Sequence, residues 1–261
     1  MAKSSESSST AEPGNATSGE DLLASRPTHE LSMQDHSGIA LIHAIRNIPI
    51  SGDDEDLTQV KLTGASGQPN QLMNLNHPIR MEVDGPLGNY ACALNAQSDI
   101  RITGAVGHGV AEGMVSGKVR VRGAAGVGAG ASMTGGTLAI YGSAGDRCGA
   151  GMRGGGIFVR GDVGDEAGVG ALRGTIVIGG NAGKNLGDAM SNVTVFIRGQ
   201  AESLAEGVAE APLRNRELLR LGLLLINASI RGEAKDFRRI VPKAILQAEQ
   251  SQQGEINPHW R

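Results

Sequence analysis

Between residues 81 and 199 a glycine returns every 19 residues without a slip, at Gly85, Gly104, Gly123, Gly142, Gly161, Gly180 and Gly199. Each closes a short strand-like segment: "RMEVDG", "IRITG", "VRVRG", "LAIYG", "IFVRG", "IVIGG" and "VFIRG". A second glycine follows three residues after each of the first six anchors, and Met114, Met133, Met152 and Met190 stand in the tenth place after theirs. A degenerate earlier copy is "VKLTG", ending at Gly64. Two and four residues before each anchor the side chains are aliphatic, as in Ile100 and Ile102, Val119 and Val121, or Ile176 and Ile178, and they alternate with other residues. That is the period of a β-strand. One strand per 19 residues cannot bury its apolar face alone, whereas identical coils stacked on one another build a continuous aliphatic ladder. The expected fold is therefore all-β: a right-handed parallel β-helix with one strand per 19-residue coil, each coil adding about 4.8 Å to a rod on the order of 30 Å long. Composition agrees, because 30 of the 40 glycines lie between Gly85 and Gly199 and only 2% of residues are aromatic, so the core must be aliphatic. Collagen is excluded by a proline count of 9.

Outside the repeat the chain changes character. Residues 1–37 are Ser-rich with almost nothing to bury, and are expected to stay disordered. Residues 38–80 are expected to form an N-terminal cap and connector: "GIALIHAIR" (38–46) suits one short helix or strand, and "SGDDEDLTQ" after it reads as a solvated acidic loop. The β-helix occupies 81–199, followed over 200–261 by a C-terminal helical segment and tail. Both flanks are needed as caps, because a bare terminal coil exposes an unpaired strand edge. The outward position three before each anchor runs Arg101, Arg120, Ala139, Phe158, Val177, Phe196, changing from basic to apolar. Phe158 and Phe196 need a cover. The segment "LRNRELLRLGLLLINASI" (213–230), an amphipathic helix with Leu213, Leu218, Leu221 and Leu225 on one face, can supply it from within the chain; a partner protein is the other reading.

Several local patterns invite a chemical reading. Gly149-Ala-Gly-Met-Arg-Gly154 matches the G-x-G-x-x-G fingerprint of a dinucleotide turn. That motif needs a strand leading into it and a helix leaving it. Here the preceding strand ends seven residues earlier at Gly142 and the next element is another strand, while Gly126–Ala131 nearly repeats the pattern one period back. The motif is expected to be one coil of the solenoid, and a β-branched residue at Gly151 to destabilise it with no nucleotide affinity to lose. His108 has no equivalent in other coils and reads as a corner residue. Asp146, Asp162, Asp165 and Asp188 fall near successive corners, where they can either cluster or hydrogen-bond turn backbone. Arg122, Arg160 and Arg198 share a place in alternate coils and suit an anionic surface or a solvated strand edge. Cys92 and Cys148 lack metal-ligand spacing and read as buried free thiols. The sequence thus assigns no catalytic, cofactor-binding or metal-ligating residue. Net charge of -3 gives no basic field for nucleic acid, and no long apolar segment or leader is evident, so a cytoplasmic protein without membrane contact is expected.

The periodic block resembles the "GXGXG" β-helix that closes the large subunit of glutamate synthase and that also occurs as a separate subunit, including the N-methylglutamate synthase type. The residues that carry this are "GHGVAEGMVSGKVRVRG" (107–123), "GDRCGAGMRGGGIFVRGDVG" (145–164), "GGNAGKNLGDAMSNVTVFIRGQAESLA" (179–205) and the closing "DFRRIVP" (236–242). The resemblance spans residues 58–243. It implies a non-catalytic scaffold subunit that bridges amidotransferase-type and FMN-containing synthase-type subunits, with FMN and iron–sulfur groups in those partners and no cofactor in this chain. A related β-helix, the C subunit of formylmethanofuran dehydrogenase and its formyltransferase/hydrolase counterpart, is the alternative. A stand-alone structural β-solenoid is the third reading.

Overall fold

The structure, a computed structural model, describes residues 28–36, 38–50, 57–228 and 232–254. Nine parallel strands stack in chain order: β1 (Thr28–Ser32), β2 (Thr58–Thr63), β3 (Ile79–Val83), β4 (Asp99–Ile102), β5 (Lys118–Val121), β6 (Thr137–Ile140), β7 (Arg153–Val159), β8 (Arg173–Ile178) and β9 (Asn192–Ile197). The register follows the repeat: Met81 opposes Ile100, Ile100 opposes Val119, and the column continues through Leu138, Ile157 and Ile176 to Val195. All seven side chains are buried. A second parallel ladder, from Leu87 through Val106, Ala125, Ala144, Val163 and Ala182 to Ala201, holds the next side of each coil. This is the expected parallel β-solenoid, with an aliphatic interior that contains no aromatic ring.

The anchor glycines are required by proximity. A Cβ on Gly142 would lie 2.7 Å from the Gly123 carbonyl oxygen and 2.8 Å from the Ala124 nitrogen, so only a bare backbone lets successive coils approach. Left-handed backbone falls mostly elsewhere, in four columns between the anchors, with Gly85 (φ +116°) an anchor that shares it. Arg147, Gly149 and Gly151 show the pattern in one coil, with φ of +57°, +73° and +61°. Their amide hydrogens point alternately to the neighbouring coils: Arg147 donates to the Asp165 carbonyl at 2.8 Å, Gly149 to Ala129 at 2.8 Å and Gly151 to Val169 at 2.8 Å.

Both ends depart from the sequence expectation. Of the segment expected to be a disordered tail, residues 1–27 lie outside the described residues, but Thr28–Ser32 form β1 and extend the parallel stack beyond β2. A short polar strand can do this because the pairing is made by backbone groups, with Leu31 half-buried on the core side. Helix α1 (Ile39–Arg46) buries Leu41 and Ile45 in the interior, and the Arg46 guanidinium donates to the Asn74 carbonyl at 3.0 Å. At the other end the sheet edge is not closed by a helix. β11 (Arg238–Pro242) runs antiparallel to β9, and β10 (Val208–Ala211) lies antiparallel outside it. The segment "DFRRIVP" is therefore mostly strand.

Helix α2 (Asn215–Asn227) lies on the outer face of the sheet, where Leu221, Leu225 and Ala228 pack with Ala139, Phe158, Val177, Phe196 and Phe237. The chain thus covers its own phenylalanines, as expected; residues 229 and 230 of the expected helix lie outside the described residues. An ionic network ties α2 to the cap. Arg239 on β11, 2% exposed, donates to Glu217 at 3.0 Å and to Glu249 at 2.7 Å, the latter on helix α3 (Lys243–Gly254). Arg214 completes it, 2.8 Å from Glu217 and 2.9 Å from Glu249. Burial alone would raise the Glu217 carboxyl, but hydrogen bonds from Arg214 and Arg239 outweigh it and hold the group below the usual range.

Candidate functional site

The dinucleotide-like motif is structural. Gly149 is buried in a coil and Met152 lies in the interior with Met114, Met133 and Met190; no helix follows, since Arg153 begins β7. Gly149 and Gly151 differ in role, although both have positive φ and a substitution at either is strained, as expected for Gly151. A Cβ on Gly149 would meet Ile176 Cδ1 at 2.8 Å, whereas one on Gly151 would meet only Ser132 Oγ, at 3.8 Å. Substitution at Gly151 therefore costs backbone strain alone. The equivalent positions in other coils already hold Leu94, Ser132 and Ala189 with positive φ.

The titratable residues singled out by sequence serve the stack. His108 Nδ1 accepts the Val127 amide hydrogen at 2.9 Å. Asp146 accepts from the Asp165 amide at 2.9 Å, Asp165 from Lys184 at 2.7 Å, and Asp162 from Asn181 at 2.6 Å. The three aspartates fill the role that the turn-binding reading gave them, and His108 does the same at its corner: each satisfies a corner amide one coil further on. Asp188 is exposed and joins neither column. Arg122, Arg160 and Arg198 are exposed; Arg198 donates to the Gly179 carbonyl at 2.8 Å and sits 6.0 Å from the centre of the Phe237 ring. Cys92 and Cys148 are buried free thiols, pushed up to about 12 by desolvation. Among the described residues no group of three or more His, Cys, Asp or Glu is placed to hold a metal ion, and no helix is long and apolar enough to cross a membrane.

The interior is a stack of buried aliphatic side chains, and the grooves among the described residues lie on its surfaces. Three adjoin on the outer face. Over β2–β5 an open groove of about 600 Å³ is lined by Lys61, Arg80, Glu82, Asp99, Arg101 and Arg120. Four cations and two carboxylates line it: Asp99 accepts from Arg120 and lies 3.6 Å from Arg80, and Lys61 lies 3.9 Å from Glu30. Over β6–β9, beside α2, a second groove of about 600 Å³ carries Thr137, Thr175, Thr194, Asn192, Arg173 and Arg220. Sequence reasoning missed it, although Thr137, Gly156, Thr175 and Thr194 recur five residues before their anchors. The third surface is α2 itself, whose outward side exposes Leu219, Leu223 and Ile226 at 75%, 65% and 74%. These follow i, i+4, i+7 spacing, a second apolar stripe on a helix whose first is already buried. Compared with known proteins, the chain matches no family model and no curated protein.

Proposed function

We propose that this chain is a non-catalytic scaffold subunit of a glutamate-synthase-like complex, bridging an amidotransferase-type subunit and an FMN-containing synthase-type subunit. The observation that carries the scaffold reading is the unpartnered stripe Leu219, Leu223, Ile226 on a helix pinned to a rigid stack. A folded chain gains nothing from three exposed large aliphatic side chains in a row, whereas a docking partner gains the burial of all three. The partners' identity rests on the resemblance of residues 107–123, 145–164 and 179–205 to the GXGXG subunit. In the solenoid these segments supply the corners and strands of three coils, which hold their side chains at fixed spacing without offering an enclosed interior site.

Gentle affinity purification of the full chain from its native cells tests this. Recovery of a flavoprotein and an amidotransferase in fixed ratio with the chain is the expected result. A chain that elutes alone, or with neither of these, overturns the proposal.

A further inference from the structure

We infer that the groove over β6–β9 beside α2 is a binding site for a small oxyanion, the phosphoryl or carboxylate group of a metabolite. Thr137, Thr175, Thr194, Asn192, Arg173 and Arg220 line it, and none of these side chains makes a hydrogen bond or ion pair to another described residue. Thr175 is the pointed case. It is 6% exposed, yet its hydroxyl faces the groove without a protein partner. A hydroxyl open to a groove is satisfied by water, which the oxygen of a ligand can replace. The groove over β2–β5 differs in that carboxylates line it, Glu82 and Asp99, and Asp99 pairs with both Arg80 and Arg120. Here two guanidinium groups line the groove and no carboxylate does.

The backbone adds a second, independent observation. β7 bulges between Arg153 and Gly156 as it pairs with β8; the positive φ of Gly155 there, +83°, is the one its column shows at Gly117 and Gly136 as well, +81° and +77°. Bulges interrupt a ladder and re-aim side chains beside functional sites. In this regular stack the shift falls at the groove, where Gly155 and Gly156 form part of the wall. Gly156 interrupts the threonine column, and the Phe158 ring takes the space between Thr137 and Thr175, 2.8 Å from where a Cβ on Gly156 would stand. Guanidinium forks and hydroxyl donors together match the rim of acceptors on a phosphate or carboxylate. The volume suits a small metabolite rather than a lone ion.

Calorimetric titration of the full chain, at fixed ionic strength, with inorganic phosphate and separately with succinate tests the site. Saturable binding of at least one is expected. Arg173→Gln and Arg220→Gln should each weaken it about tenfold, and Thr175→Val should weaken it several-fold while circular dichroism and melting stay as in the parent. Preference for phosphate assigns a phosphoryl ligand, and preference for succinate a carboxylate ligand. Absence of saturable binding by either anion overturns the inference, as does binding that survives both arginine substitutions undiminished. The readout needs no partner subunit, so its failure is distinct from failure of the scaffold reading.

Discussion

Gly149→Ala and Gly151→Ala form a matched pair that separates the two ways a glycine can be required. Both residues have left-handed backbone, with φ of +73° and +61°, so each substitution carries the same strain of about 1–2 kcal/mol. Each also recovers about 0.4–1 kcal/mol by restricting the unfolded chain. At Gly151 nothing else is added, because the new methyl stands 3.8 Å from its nearest neighbour, and the net loss is about 0–1.5 kcal/mol. At Gly149 the methyl enters a filled core, 2.8 Å from Ile176 Cδ1 and 3.1 Å from Ile157 Cδ1. Overpacking of this kind adds about 1–3 kcal/mol. The same column holds Ala111 earlier in the solenoid, at φ +55°, where the stacked residues are Val119 and Leu138 instead of Ile157 and Ile176. The cost at Gly149 thus belongs to the reach of an isoleucine terminus. Urea unfolding should show a midpoint shift about 1–3 kcal/mol larger for Gly149→Ala than for Gly151→Ala at unchanged slope. Ile176→Val should recover part of the Gly149→Ala loss in a double-mutant cycle. Equal shifts for the two glycines, or strict additivity with Ile176→Val, would refute the packing argument.

Three further outcomes are expected. Leu223→Ser should change stability by no more than about 0.5 kcal/mol, as exposed substitutions do, yet sharply reduce recovery of partner subunits in the affinity purification; unchanged recovery removes α2 from the interface. Glu217, held below the usual carboxyl range, contributes stability that is complete above its unfolded pKa of about 4.3 and is lost as pH falls through the folded value. Acid unfolding below about pH 5 should therefore be less steep in Glu217→Gln, and an identical slope would show that the network does not titrate. Cys92 and Cys148, buried and pushed up to about 12, should react with a thiol reagent only as fast as the chain unfolds, so rapid labelling in buffer without denaturant contradicts their placement.

The solenoid could be read from sequence because every level of it repeats. Ile100, Val119 and Leu138 are aliphatic at one spacing, Gly104, Gly123 and Gly142 are bare at the same spacing, and neither pattern has another fold that satisfies both. The leucine spacing of α2 was equally plain, since Leu221 and Leu225 obey the helical period and Phe158 and Phe196 needed a cover. The closing strands were hidden for a physical reason. "RRIVP" carries an arginine that is buried only because Glu217 and Glu249 reach it from two helices, and no local pattern reports partners 22 and 10 residues away. β1 was hidden by the opposite cause, a single apolar residue, Leu31, in a strand joined through its backbone. The oxyanion groove combines both difficulties. Thr137, Thr175 and Thr194 share a column with Arg80, Asp99 and Lys118 in the earlier coils, so the column alone has no single chemistry. Arg173 gains its setting from a one-residue slip in the register, and Arg220 comes from a helix outside the period. A repeat displays the residues that hold it together; binding chemistry has to enter where the repeat is broken, at the bulge of β7 and under the helix that crosses it.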